Sequence, residues 1–181
     1  MSNDLESRRN AWKFRGDLRP DFEEVPGPGK ESVWDYPRPP ILVDDSRLVE
    51  VFSGEQCIVS TSRARRLLET AHAPTWYIPM SDVNLEYLAR EDATSHCEWK
   101  GEANYFSIQA GGKTITRAAW SYRAPFPEML RLRNHFAFYP HLVDCYVAGE
   151  KARPQGGGFY GGWITNDLAG PIKGQDGSQG W

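Results

Sequence analysis

Two runs of strand-forming residues, 100–109 and 113–122, are separated by Gly111-Gly112, and this pair constrains the chain more than any other feature. Adjacent glycines supply the left-handed backbone that a two-residue hairpin turn requires. A turn centred on them pairs residues whose numbers sum to 223. That register sets Trp120 opposite Ala103, Tyr122 opposite Gly101 and Tyr105 opposite Ala118, so each ring meets a small partner. Phe106, Ile108 and Ile115 fall on the other face. A hairpin that is apolar on both faces needs cover on both, which places it at the centre of a sheet.

The remaining pattern agrees with an antiparallel design. Residues 48–52 and 57–60 read as a second hairpin turning through Ser53-Gly54-Glu55. Residues 76–78 form a strand closed by Pro79, and 134–139 and 143–148 form two more on either side of Pro140. Within 63–71, Ala64, Leu67, Leu68 and Ala71 fit helical spacing, but the stretch is short and soon meets Pro74, which leaves helix and strand both open. Ser81 is placed to cap one short helix running to Leu88. The expected fold is mainly β: a small antiparallel-sheet domain with one or two short helices.

Three regions differ in composition. Residues 1–40 hold six of the thirteen prolines, all between Pro20 and Pro40, and little regular structure is expected there. The segment also carries Trp12, Phe14, Trp34 and Tyr36, too many rings for a free linker, so it reads as an extended arm docked on a core at 41–148. Residues 149–181 hold ten of the seventeen glycines. The glycine run at 155–163 lacks both G-x-x-x-x-G-K-[ST] and the strand-to-helix setting of G-x-G-x-x-G, and reads as an ordered arm pinned by aromatic residues.

At 181 residues the chain suits one domain with arms. A net charge of −3 argues against a nucleic-acid partner. The arginine groups Arg63, Arg65, Arg66 and Arg131, Arg133 read as ion-paired or solvated. Cys57, Cys97 and Cys145 are odd in number and widely spaced, without C-x-x-C, and His72, His96, His135 and His141 are scattered. No disulfide framework, metal site or cofactor is therefore expected, and a reducing cytoplasm is the expected setting. No apolar run has signal-peptide length or approaches the roughly 20 residues of a membrane span, so no membrane partner is expected.

Chemistry concentrates in residues 94–106, which hold His96, Cys97, Glu98, Lys100 and Glu102. A lysine beside a cysteine favours the thiolate, but Cys97 and Lys100 can cooperate only if 96–99 make a turn or bulge. Glu69 suits either acid/base work or an ion pair with a lysine or arginine, and Asp82 either a general base or the first turn of a helix. Tyr77, Trp99, Tyr105, Trp120, Tyr122 and Phe138 suit the walls of a pocket as well as an ordinary aromatic core.

The leading reading is a domain that binds a small molecule in an aromatic-walled cleft lined by Tyr77, Lys100, Tyr105, Trp120 and Tyr122. The alternative is an enzyme with Cys97 as nucleophile, Lys100 as activating cation, and Glu69 or His96 as acid/base. A third reading is an interaction module whose arms clasp a second copy; monomer and homodimer both fit the composition.

Several motifs occur together in one order. They are Trp34-Asp35-Tyr36-Pro37-Arg38-Pro39-Pro40, Glu69-Thr70, Tyr77-Ile78-Pro79 with Asp82-Val83, Thr94-x-x-Cys97-x-x-Lys100-Gly101-x-Ala103, Trp120-x-Tyr122-x-x-Pro125 and Phe138-Tyr139. In these the chain resembles the domain-of-unknown-function family 427, which also carries a nucleotidyltransferase-type name. The Gly158-Phe159-Tyr160-Gly161-Gly162-Trp163 and Gly170-Pro171-Ile172-Lys173-Gly174 segments look like the longer bacterial members. The resemblance implies a small Mss4-like, or β-tent-like, antiparallel fold. Other folds of that type hold zinc between C-x-x-C turns, which this chain lacks, and no Gly-Ser with paired aspartates is present to hold magnesium. What the resemblance implies is thus a fold rather than an activity.

Overall fold

The computed structural model describes residues 2–181, with side chains from Asp4 onward. One α-helix, α1 (Ser2–Asn10), opens the described chain. Fifteen strands follow: β1 (Glu31–Ser32), β2 (Ile41–Asp44), β3 (Val49–Ser53), β4 (Gln56–Thr61), β5 (Arg65–Leu68), β6 (Thr75–Pro79), β7 (Leu88–Cys97), β8 (Gly101–Ala110), β9 (Lys113–Ser121), β10 (His135–Phe138), β11 (Asp144–Val147), β12 (Glu150–Lys151), β13 (Arg153–Pro154), β14 (Trp163–Ile164) and β15 (Leu168–Ala169). A seven-stranded antiparallel sheet runs β2-β5-β6-β10-β9-β8-β7, and a four-stranded one runs β12-β11-β3-β4. Two-residue pairs, parallel β1-β15 and antiparallel β13-β14, complete a mainly β fold.

Alternation along the large sheet separates two cores. Trp76, Ile78, Ile108, Ala119, Phe136 and Phe138 face the small sheet, where Val49, Val51, Ile58 and Val147 meet them. Their neighbours Tyr77, Ala103, Trp120, Tyr122 and Ala137 face the opposite way with Leu67 and Leu132. The second face carries the site. A third cluster joins both ends of the chain, with Trp34 and Tyr36 packed on Leu68, Ala71, Ala73 and Leu168, and Phe14 and Trp181 at its edge.

The β8–β9 hairpin lies inside the sheet, as its two apolar faces require. Near the turn its register sums to 223, with Ala110 opposite Lys113 and Ile108 opposite Ile115. Beyond Phe106 the register shifts by two, so Tyr105 faces Trp120 and Asn104 faces Ser121. The expected pairs Trp120–Ala103, Tyr122–Gly101 and Tyr105–Ala118 do not form. The cause is a bulge in β9 at Arg117, whose φ is 52°. A second irregularity interrupts β7 between Arg90 and Thr94. Glu91, inside it, accepts the Arg117 backbone N–H at 2.8 Å and the Ser107 hydroxyl, which satisfies the donor freed by the first bulge. A shift of two preserves the faces, so Tyr105 and Trp120 stay on the site side.

Other local expectations need correction. Residues 2–10 contain neither proline nor glycine and form α1, with Asp4 in its first turn and Arg8 and Arg9 in its last, as the helix dipole favours. Residues 65–68, left open between helix and strand, are a strand, with β2 and β6 on either side of it in the sheet. No helix runs from Ser81 to Leu88: Met80–Asp82 and Leu85–Tyr87 are single 3₁₀ turns, and Asn84 rather than Ser81 caps one of them. The arginine groups are mostly paired, Arg63 with Asp82, Arg65 and Arg131 with Asp44, and Arg66 with Glu31 and Asp45. Among the described residues, no helix is long and apolar enough to cross a membrane.

Candidate functional site

The 94–106 stretch is itself a hairpin. β7 ends at Cys97, Glu98-Trp99-Lys100 turn, and β8 starts at Gly101, whose φ of 95° suits glycine. The Lys100 carbonyl accepts the Phe126 N–H at 3.2 Å. This turn puts Cys97 and Lys100 on one cavity of about 230 Å³ that lies over the second face of the large sheet.

All seven residues singled out from the sequence, Glu69, Tyr77, Cys97, Lys100, Tyr105, Trp120 and Tyr122, line that cavity. Trp99 and His96 line it as well. Phe138 does not, because alternation turns it into the inter-sheet core and leaves Ala137 on the site face. Asp82 is elsewhere too: it binds Arg63 and the Thr61 hydroxyl, and hydrogen bonding to Arg63 holds its carboxyl down at about 2.

The walls are rings. Tyr77 meets Trp120 edge-on with centroids 6.4 Å apart, and Tyr139 lies against Trp120 at 4.4 Å. Among the described residues, no carboxylate lies within ion-pairing distance of Lys100, although its ammonium sits between Tyr77, Tyr122, Cys97 and Glu69. Burial opposes that charge, but the acidic groups around it outweigh burial and raise its pKa well above the usual lysine value. Burial pushes Tyr77 up to about 12 and Tyr122 well above the ordinary tyrosine value, so both remain hydroxyl donors at neutral pH. The buried Trp99 Nε1 has no hydrogen-bond partner. The Tyr105 and Ser95 hydroxyls share a 2.8 Å bond, and the Cys97 thiol approaches Glu98 Oε2 at 3.8 Å.

Glu69 pairs with Arg38 Nε at 3.2 Å rather than with Lys100. Burial would raise its pKa, and the fields of His72, Lys100 and Arg38 together hold it below the usual carboxylate range. Burial also drives His72 down to about 4, so the imidazole is neutral at pH 7. Its Nδ1 accepts from Gln155 Nε2 at 2.9 Å, while Gln155 Oε1 accepts the Ala73 N–H at 3.1 Å.

Sequence reasoning missed the contribution of the arms. Trp12 lines the cavity, donates to Glu98 Oε1 at 3.2 Å, and lies between the Arg38 guanidinium at 4.4 Å and the Lys173 ammonium at 3.9 Å. From the other end come Gln155, Tyr160, Gly161 and Gly162. The aromatic residues in both arms signalled docking; only the tertiary fold shows that they dock around the cleft.

The chemistry on offer is donor-rich: an ammonium, an indole N–H and two phenols face a space whose carboxylates, Glu69 and Glu98, are engaged by Arg38 and by the Trp12 indole. Zinc does not fit these residues, since no group of three metal-binding side chains occurs among the described residues.

Comparison with curated proteins returns no match. The family model described as Domain of unknown function (DUF427), which bears a nucleotidyltransferase-type name, matches residues 41–149. The 34–40 motif and the glycine-rich arm lie outside that segment. Matched over more than half of its length, the chain belongs to the DUF427 family.

Proposed function

We propose that the chain binds a small planar molecule carrying an acidic group in the cleft, with its ring between the aromatic walls and its acid on Lys100. One observation carries this: a lysine ammonium without a carboxylate partner, set among rings that would otherwise form a dry core. The groups around it keep that ammonium charged, yet among the described residues no carboxylate pairs with it, which leaves the cation free to receive an acid. The surrounding Tyr77, Tyr122 and Trp99 donors favour a ligand rich in acceptors. At about 230 Å³ the space suits one or two fused rings, below the usual range for larger ligands. The test uses native mass spectrometry on chain purified gently from cells, together with thermal shift against benzoate and indole-3-carboxylate. Retained mass or a stabilising shift is expected in wild type and absent in Lys100→Met and Tyr122→Phe. Identical behaviour in all three would overturn the reading.

A second reading rests on the turn that brings Cys97 and Lys100 onto one cavity. There Cys97 is a nucleophile, Lys100 its activating cation, and Glu69 or the exposed His96 the acid/base. Iodoacetamide should then alkylate Cys97 faster than Cys57, which is more exposed but whose thiol burial and Glu50 push up. Cys97 labelling no faster than Cys57 would reject it. Three unpaired thiols support a reducing, cytoplasmic setting. The facing seven- and four-stranded sheets support a β-tent, Mss4-like architecture.

A further inference from the structure

A second concavity, about 550 Å³, lies on the other face of the same hairpin. Its register explains its position. Asn104 and Ser121 face each other across β8–β9 and point to the inter-sheet side, beyond the last apolar residues of that core. Both residues are nearly buried, at 5% and 4% exposure, and both line the floor of the concavity, where their polar atoms are not sealed into the core. Arg90, Arg123 and Arg133 stand around them, all exposed. Among the described residues none of the three lies within ion-pairing distance of a carboxylate, in contrast to Arg63, Arg65, Arg66 and Arg131.

We propose that this basin is a binding site for a phosphoryl group, with Arg90, Arg123 and Arg133 around the rim and Asn104 and Ser121 on the floor. Three guanidiniums against the single carboxylate of Glu102 leave two positive charges, the complement of a phosphate dianion. Guanidinium forks, a carboxamide and a hydroxyl present more donors than a carboxylate has lone pairs to accept. A phosphoryl group, with three or four oxygens, takes them up. Polar side chains that floor a concavity and open onto it can complete their hydrogen bonds with a ligand. The cleft over Lys100 lies on the opposite face of the sheet; Tyr122 borders both, but Arg90, Arg123, Arg133, Asn104 and Ser121 line only the basin, so their variants test it independently.

The same chemistry belongs to a free phosphorylated compound and to a lipid headgroup. The test titrates the full chain with inorganic pyrophosphate at constant ionic strength, following backbone and side-chain amide shifts. A parallel arm uses phosphatidate-containing vesicles in a sedimentation assay. Saturable shifts at 102–104, 121–123 and 133–134 are expected, with affinity falling about tenfold in Arg123→Gln and in Arg133→Gln. Both residues are exposed, so these variants should fold; Ser121→Ala checks the floor independently. Vesicle binding in addition would assign the phosphoryl group to a lipid, and its absence to a soluble compound. No saturable shift in either arm, shifts equal to those with sodium chloride, or a response confined to Lys100 and Trp120 would overturn the proposal.

Discussion

At the scale of single residues, two buried groups set testable energetics. Arg38 is fully buried and ties three segments to its own: residues 69–70 through Glu69 at its Nε and the Thr70 carbonyl at 2.9 Å, the Phe14 carbonyl at 3.1 Å and the Trp181 carbonyl at 3.4 Å. Removing one partner of a buried pair strands the other charge. Arg38→Met should therefore cost about 3–5 kcal/mol in urea denaturation; a loss below about 1 kcal/mol would show that the pair is dispensable. His72 makes the second case. Its folded pKa of about 4 lies below the unfolded value near 6.5. Between those values the unfolded chain binds the extra proton, so stability rises with pH across the window. It is complete above about 6.5 and lost progressively towards 4, by at most about 3 kcal/mol. The His72→Gln variant should flatten the slope between pH 5 and 6.5, above the range of ordinary carboxylates. An unchanged slope would mean that His72 is not held neutral. Reactive side chains announce themselves by type and spacing, so Cys97, Lys100 and Glu69 were legible as candidates; that Glu69 pairs with Arg38 rather than Lys100 depends on where the first arm docks.

At the scale of elements, the cleft depends on two bulges and one close approach. Glu91 links the interrupted β7 to the Arg117 bulge, and Glu91→Ala should cost about 1–3 kcal/mol by leaving the Arg117 N–H without its acceptor. Gly161 lies so close to Trp120 that an added Cβ would overlap the ring carbon Cη2, whereas Gly27 has open space around it. Gly161→Ala should lower stability by about 1–3 kcal/mol and change the Trp120 environment in near-UV circular dichroism. Gly27→Ala serves as the neutral control. A spectrum identical to wild type in Gly161→Ala would place the arm away from Trp120. The turn at Gly111-Gly112 was readable because glycine pairs specify hairpins locally. The register beyond Phe106 was not, since the bulge is fixed by Glu91 from another strand. β7 escaped notice for a related reason: its exposed edge position leaves residues 91–96 without an apolar alternation to read.

At the scale of the whole molecule, the chain closes on itself around the site. The ends meet in one aromatic cluster, where Phe22 stacks on Trp181 at 5.0 Å and both contact Trp34. Arg47 ties Asp45 of the core to Asp167 of the C-terminal arm. We expect arms and core to unfold together. Deleting residues 1–19 removes Trp12 and should accelerate ligand release from the cleft while lowering the melting temperature; an intact chain with unaltered release would show that Trp12 does not cover the site. The mainly β architecture was legible in its alternation and turns, whereas the enclosure of the cleft by both arms is a property only of the assembled fold.

The most direct measurement is a high-resolution crystal structure of chain purified gently from cells and soaked with indole-3-carboxylate, with attention to density beside Lys100 and Trp120. A planar molecule with an acidic oxygen within hydrogen-bond distance of Lys100 Nζ is expected. A cavity closed by its own side chains, with Lys100 drawn onto Glu69, would contradict a binding role and turn the search for function to the opposite face of the sheet.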